Sequence, residues 1–234
     1  MSYYEMPLAV RASADARVAF IRRTYGHLAG AILAFVALET ALLKIPGVAE
    51  AILRPLMAGG WFIILLAFIG ASYVARSWAN SQVSRGMQYA GLALYVVVQA
   101  IIFLPLLYVC ANFARDPNII PMSGILTLGI FGGLTVSVFI SGRDFSYLGP
   151  ILSIGLFLML GVAIAGLLFG FSMPLFYSFI GVALASGFIL YDTSNVIHHF
   201  RTDQHVGAAL ELFASVALLF YYILRIALAT SSRD

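Results

Sequence analysis

Charge is what this chain has least of. Charged residues fill only 10% of its 234 positions, and 62% are hydrophobic, whereas an ordinary soluble domain carries about 25% charged residues. So few polar groups cannot cover a surface that meets water on all sides, which excludes a soluble globular domain in favour of a lipid-embedded one. The net charge of +3 is scattered over short connectors and forms no basic block. That excludes nucleic acid as a partner and leaves the charges to set topology. A single cysteine, Cys110, lies in an apolar run, so neither an internal disulfide nor a cysteine-based metal cluster can form. It reads as a small buried apolar side chain. The catalytic signatures are missing too: no GxGD of an intramembrane aspartyl protease and no GxSxG of a serine hydrolase occurs. His198 and His199 are adjacent, about 100° apart on a helix, and His205 lies across the next connector. This is no metal-ligand spacing, and interfacial histidines are the expectation. A non-enzymatic protein without a bound cofactor follows.

What the chain does have is long apolar runs. A bilayer core of about 30 Å takes roughly 20 apolar residues per helix. Seven segments qualify: 24–43, 57–76, 86–109, 119–141, 148–170, 174–198 and 206–228. The breaks between them carry turn or charge signals, "KIPG", "RSWANSQVSR", "ARDPN", "SGRDFS", "GFSMP" and "RTDQH", and the fifth and sixth spans should form a tight hairpin at "FSMP". The expectation is an all-α polytopic membrane protein with seven transmembrane helices: a tail over 1–22, a transmembrane domain over 23–230, and a short tail over 231–234. The polar residues ahead of the first span have the wrong order for a cleaved secretory signal, so that span is taken as permanent. Gly166 and Gly170 have GxxxG spacing and are assigned to packing. Arg11, Arg17, Arg22 and Arg23 place the N-terminus in the cytoplasm. The inside connectors then add Arg76, Arg85, Arg143 and Arg201, against Lys44, Arg54, Arg115, Arg225 and Arg233 outside.

Acids inside spans are costly, about 2.5–3.5 kcal/mol at a helix centre on insertion scales, and so mark functional positions by default. Three qualify: Glu39, Asp192 and Glu211. Glu39 lies near the outer end of the first span, where it could reach headgroups or pair with Lys44, and a structural role is the preferred reading. Asp192 is short and follows the apolar run "GFIL", which leaves it less room to escape. In an antiparallel hairpin with its turn between Thr202 and Asp203, Asp192 lies at about the level of residue 213. Glu211 and Ser215, i and i+4 on one helix face, are within a turn of that level. Asp192, Glu211 and Ser215 could thus form one polar cluster. Two carboxyls in such a place cannot easily both ionise and would share a proton. Such a cluster could switch with pH and pass a cation, or could simply stitch two helices together.

Three stretches carry a resemblance: "RTYGHLAG" opening the first span, "SGRDFSYLGPIL" linking the fourth and fifth, and "GFILYDTSNVIHH" in the sixth. Over nearly its whole length the chain resembles the Bax inhibitor family of membrane proteins. Its ending, "ALELFASVALLFYYILRIALATSSRD", looks closest to the bacterial YccA-like branch. The resemblance implies six helices around a central C-terminal helix, in a bacterial inner membrane. It also implies two activities: a proton-sensitive calcium leak sensed by an aspartate pair on the last two helices, and, in the bacterial branch, modulation of the membrane-bound FtsH protease. Asp192 matches the first aspartate. A family pattern like LYLDxxNLF puts the second on Ser215 and the asparagine on Leu218, so this chain departs there, and Glu211 is the carboxyl that could replace the missing one. Calcium takes about six to eight oxygen ligands. Asp192 and Glu211 would therefore need water or backbone oxygens to complete a calcium shell. Restraint of an FtsH-type protease, gripped through residues 1 to 22, is the alternative to transport.

Overall fold

A computed structural model describes residues 7–55, 61–81, 84–170 and 174–231. Among the described residues there are eight α-helices and no strand: α1 (Ala14–Lys44), α2 (Val48–Pro55), α3 (Trp61–Ala79), α4 (Arg85–Phe113), α5 (Ile119–Ser141), α6 (Leu148–Phe169), α7 (Pro174–His198) and α8 (His205–Ser231). Six helices, α1 and α4 to α8, are long and apolar enough among the described residues to cross a bilayer. The protein is thus an all-helical, multi-pass membrane protein. The 19-residue α3 coincides with the second expected span. The proposed "FSMP" hairpin falls largely on 171–173, outside the described residues.

Local chemistry explains the helix limits. Ser13 caps α1, its Oγ accepting from the Ala16 N–H at 3.4 Å, with Asp15 in the first turn and Lys44 in the last, each the charge that the helix dipole favours. The cap starts α1 ten residues before the apolar run, and its 31 residues extend about 46 Å, well beyond a bilayer core. Pro46 and Gly47, the latter at φ 81°, end it. The connector holds α2, an eight-residue amphipathic turn too short for any span pattern. Gly142 ends α5 in the left-handed region and donates its N–H to the Val138 carbonyl. Gly170 ends α6 in the same conformation, so the GxxxG pair Gly166 and Gly170 presents no continuous helix face.

The helices fall into two compact units, Met1–Asn112 with Phe200–Phe213, and Phe113–His199 with Ala214–Asp234. In the first, Gly91 of α4 lies where a Cβ would stand 2.6 Å from the Ala75 carbonyl oxygen of α3, so only hydrogen fits at this helix crossing. Phe35 meets the rings of Phe103 and Phe213 edge-on at 5.2 and 6.0 Å. The segment ahead of α1 is also tied down: the Ala9 N–H donates to the Phe200 carbonyl at 2.8 Å, and Leu8 bridges Arg201. In the second unit α7 packs against both α5 and α6, and Ala185 and Ile189 of α7 form a core with Leu219 and Ile223 of α8. Half of the apolar window of α8 is buried, the largest share of any span; α4 follows at 44%.

Candidate functional site

The core of the second unit leads directly to Asp192. Ile189 lies three residues before it on α7, and Leu219 lies four residues after Ser215 on α8. Asp192 and Ser215 thus extend the same helix contact by one turn. Both are buried, at 7% and 4% exposure, and the Ser215 hydroxyl donates to Asp192 Oδ2. The neighbouring Thr193 and Ser194 are fully buried. Leu218, where the resemblance expects asparagine, packs against the apolar core. The structure therefore brings Asp192 and Ser215 together in a short polar clasp between α7 and α8.

Glu211 takes a different partner. Its Oε2 accepts from Arg76 Nη1 of α3, within the first unit. Arg76 also reaches the Tyr95 hydroxyl at 3.3 Å, with its guanidinium 5.3 Å from the Tyr95 ring centre, and Gln99 donates to the same hydroxyl at 3.0 Å. Glu211, Arg76, Tyr95 and Gln99 form a polar chain joining α8, α3 and α4. Guanidinium does not lose its proton in proteins, so Arg76 is a permanent counter-charge to Glu211. The sequence reading counted Arg76 among the topology-setting charges of an inside connector and gave it no partner, although it is the one basic residue within the run 61–79. A fixed charge at the end of an apolar span is the signal that it needs an acid elsewhere.

Glu39 is not paired with Lys44. It is 4% exposed, and both of its carboxyl oxygens lack a hydrogen-bond partner among the described residues. Lys44 is exposed; five residues on, it is rotated about 140° around α1 from Glu39. Glu39 instead continues the buried stripe Phe20, Thr24, Leu28, Ala31 and Phe35.

A second polar cluster went unpredicted. Asp144, in the α5–α6 connector, accepts from the Ser146 N–H at 2.8 Å and the Ser194 hydroxyl at 3.2 Å through Oδ1, and Oδ2 lies 3.0 Å from His199 Nε2. Ser194 in turn accepts from the Phe145 N–H at 2.8 Å. The cluster fastens the connector to the last turn of α7. The hydrogen bond from the Ser146 backbone, with help from the Ser146 side chain and His199, pulls the Asp144 carboxyl down from 3.8 to about 2. His198 hydrogen-bonds the Ser194 carbonyl at 3.0 Å. His205 lies against His27, ring centres 5.0 Å apart.

A family profile described as "Inhibitor of apoptosis-promoting Bax1" matches residues 17–233. A "BI1-like protein" of Arabidopsis thaliana is 34% identical over 47% of this chain and 45% of its own length. "Protein lifeguard 4" of Mus musculus is 32% identical over 47% of each. The aligned part thus spans just under half of these two relatives. A "Golgi anti-apoptotic protein" of vaccinia virus (strain Lister) is 27% identical over 92% of this chain and 87% of its own length. With the profile covering all but the first 16 positions and the final one, this multi-pass chain belongs to the Bax inhibitor family.

Proposed function

We propose that the protein is a pH-sensitive cation leak of a bacterial inner membrane, with calcium as the candidate ion and the Asp192–Ser215 clasp as its gate. The observation that carries this reading is the position of Asp192: a titratable acid buried between two helices and held by one hydroxyl from the next helix. A carboxyl there changes charge with one proton, and its bond to the Ser215 hydroxyl of α8 is the contact that the change perturbs. Asp192 and Ser215 offer fewer oxygens than the roughly six to eight that calcium prefers, which suits passage rather than storage. Glu211, already neutralised by Arg76, then acts as a structural counter-charge and leaves proton sensing to Asp192. Seven spans with a cytoplasmic N-terminus and a central α8 are the topology we adopt; the burial of half of the apolar window of α8 supports the central place of that helix. We place protease restraint through the N-terminal tail second, because the described part of that tail, from residue 7 on, is capped, helical and bonded to residues 200–202.

The test is calcium flux into liposomes holding the purified protein across a pH series, for wild type, Asp192→Asn and Glu211→Gln. Wild-type flux should change with pH. Asp192→Asn, which keeps an acceptor but cannot titrate, should give flux independent of pH, and Glu211→Gln should keep the wild-type profile. Flux at the level of empty liposomes in all three would sink the channel reading.

A further inference from the structure

The first unit contains a cleft of about 540 Å³ between α1 and α4, within the roughly 300–1,000 Å³ typical of small-molecule sites. Its floor on α1 is built of small residues, Gly26, Gly30 and Ala34, and Val96 and Val97 of α4 form the facing wall. Space, and not packing, is what the glycines leave: a Cβ built on Gly26 or Gly30 would meet no atom within 4 Å. This sets them apart from Gly91, where α3 fills the gap. The lining runs from Arg23 to Leu38, about 22 Å along the helix axis. That length exceeds the roughly 15 Å depth of one leaflet's hydrocarbon, half of a core about 30 Å thick, by enough to reach the headgroups.

The two ends of the cleft differ in chemistry. Toward Leu38 the walls are aliphatic. The other end carries Arg23, His27 and Tyr89, where the apolar run of α1 begins. His27 donates from Nδ1 to the Arg23 carbonyl at 2.6 Å, while its Nε2 lies 3.2 Å from the Tyr89 hydroxyl. These bonds, together with stacking of the two rings at 5.4 Å, hold the imidazole and phenol fixed beside the guanidinium, which is exposed. Behind them His205 is 5% exposed, and its Nδ1 has no hydrogen-bond partner among the described residues. Arg23 and Arg85 are near enough to act on it electrostatically, with Asp203 the opposing charge. The mouth is therefore predominantly positive and rich in donors, above an apolar slot.

We propose that this cleft binds an anionic phospholipid, one acyl chain lying over Gly26, Gly30 and Ala34 and the phosphodiester held by Arg23 and the Tyr89 hydroxyl. A second copy of the chain fits less well: two such clefts in contact would bring their Arg23 mouths together without a compensating acid. The site is independent of the cation gate, since none of its lining residues takes part in the Asp192–Ser215 clasp.

Native mass spectrometry of the full-length protein in detergent, titrated with phosphatidylglycerol or with phosphatidylcholine of the same chain length, tests this. Wild type should retain phosphatidylglycerol on the order of tenfold more tightly, because both lipids offer a phosphodiester to Arg23 but in phosphatidylcholine the quaternary ammonium offsets its charge. Arg23→Gln should abolish that preference while still binding both lipids. Gly30→Leu, whose side chain has room to enter the slot, should weaken both. Equal retention of the two lipids by wild type would overturn the proposal, as would an unchanged preference in Arg23→Gln or undiminished retention of both lipids in Gly30→Leu. Full displacement of the lipid by free glycerol phosphate would reveal an anion site instead. Disulfide-linked dimers of Ala34→Cys that Gly30→Leu prevents would assign the cleft to a second copy.

Discussion

Replacing Ser215 by alanine tests the proposed gate. The substitution removes one oxygen, leaves the shape of the α7–α8 contact nearly intact, and deprives the Asp192 carboxyl of its Ser215 donor. With both residues at 7% exposure or less, water does not readily replace the lost hydroxyl. A hydrogen bond to a group that can carry charge contributes about 1.5–3 kcal/mol. If the bond exists only while the two helices are clasped, its lower bound shifts the closed–open balance roughly tenfold. In proteoliposomes Ser215→Ala should therefore leak calcium about tenfold faster than wild type at the pH where wild type is most closed. Its leak should still respond to pH, because Asp192 remains. Ser215→Thr keeps the hydroxyl and should restore the wild-type rate. A leak in Ser215→Ala indistinguishable from wild type across the pH series, alongside an altered Asp192→Asn, would refute the clasp as the gate and leave Asp192 acting through some other partner.

Two further outcomes follow from the packing. Gly91→Ala should lower the thermal midpoint of the purified protein by an overpacking cost of about 1–3 kcal/mol, because the new methyl would stand 2.6 Å from a backbone carbonyl of α3; an unchanged melting curve would mean that the helices separate freely there. The Asp144 carboxyl, lowered from 3.8 to about 2, stabilises the fold above the unfolded value and loses that contribution as pH falls from about 3.8 through about 2. Asp144→Ala should accordingly melt below wild type at neutral pH, with the gap closing over that acid window. A gap that stayed constant down to pH 2 would show that the carboxylate charge contributes nothing.

The spans were legible because lipid imposes one rule on every helix, a run of apolar residues long enough to cross it; α5 and α7 match their expected limits residue for residue. The rule is silent on α2, which has only eight residues, and on the first ten residues of α1, where the Ser13 cap, and not hydrophobicity, starts the helix. For the acids, depth was readable and partnership was not. Counting from the α7–α8 turn placed Ser215 within about one turn of the level of Asp192, and the two do meet. The same counting put Glu211 beside them, yet its partner Arg76 lies 135 positions away in sequence, and no periodicity links the two.

The three acids of the apolar spans show why depth alone cannot assign a role. Asp192 bonds a hydroxyl, Glu211 pairs with a guanidinium, and Glu39 has no hydrogen-bond partner among the described residues. All three lie in apolar runs, so an insertion cost of the same order applies to each; what differs is the group that faces them. A permanent cation fixes the charge state of its partner and so favours architecture. A hydroxyl can serve the acid in either protonation state, accepting from the protonated form and donating to the ionised one, so an acid so held can titrate without losing its bond outright. Among the described residues Asp192 is the acid of the three with that kind of partner, which is why the proposed proton sensing is assigned to it and not to Glu211.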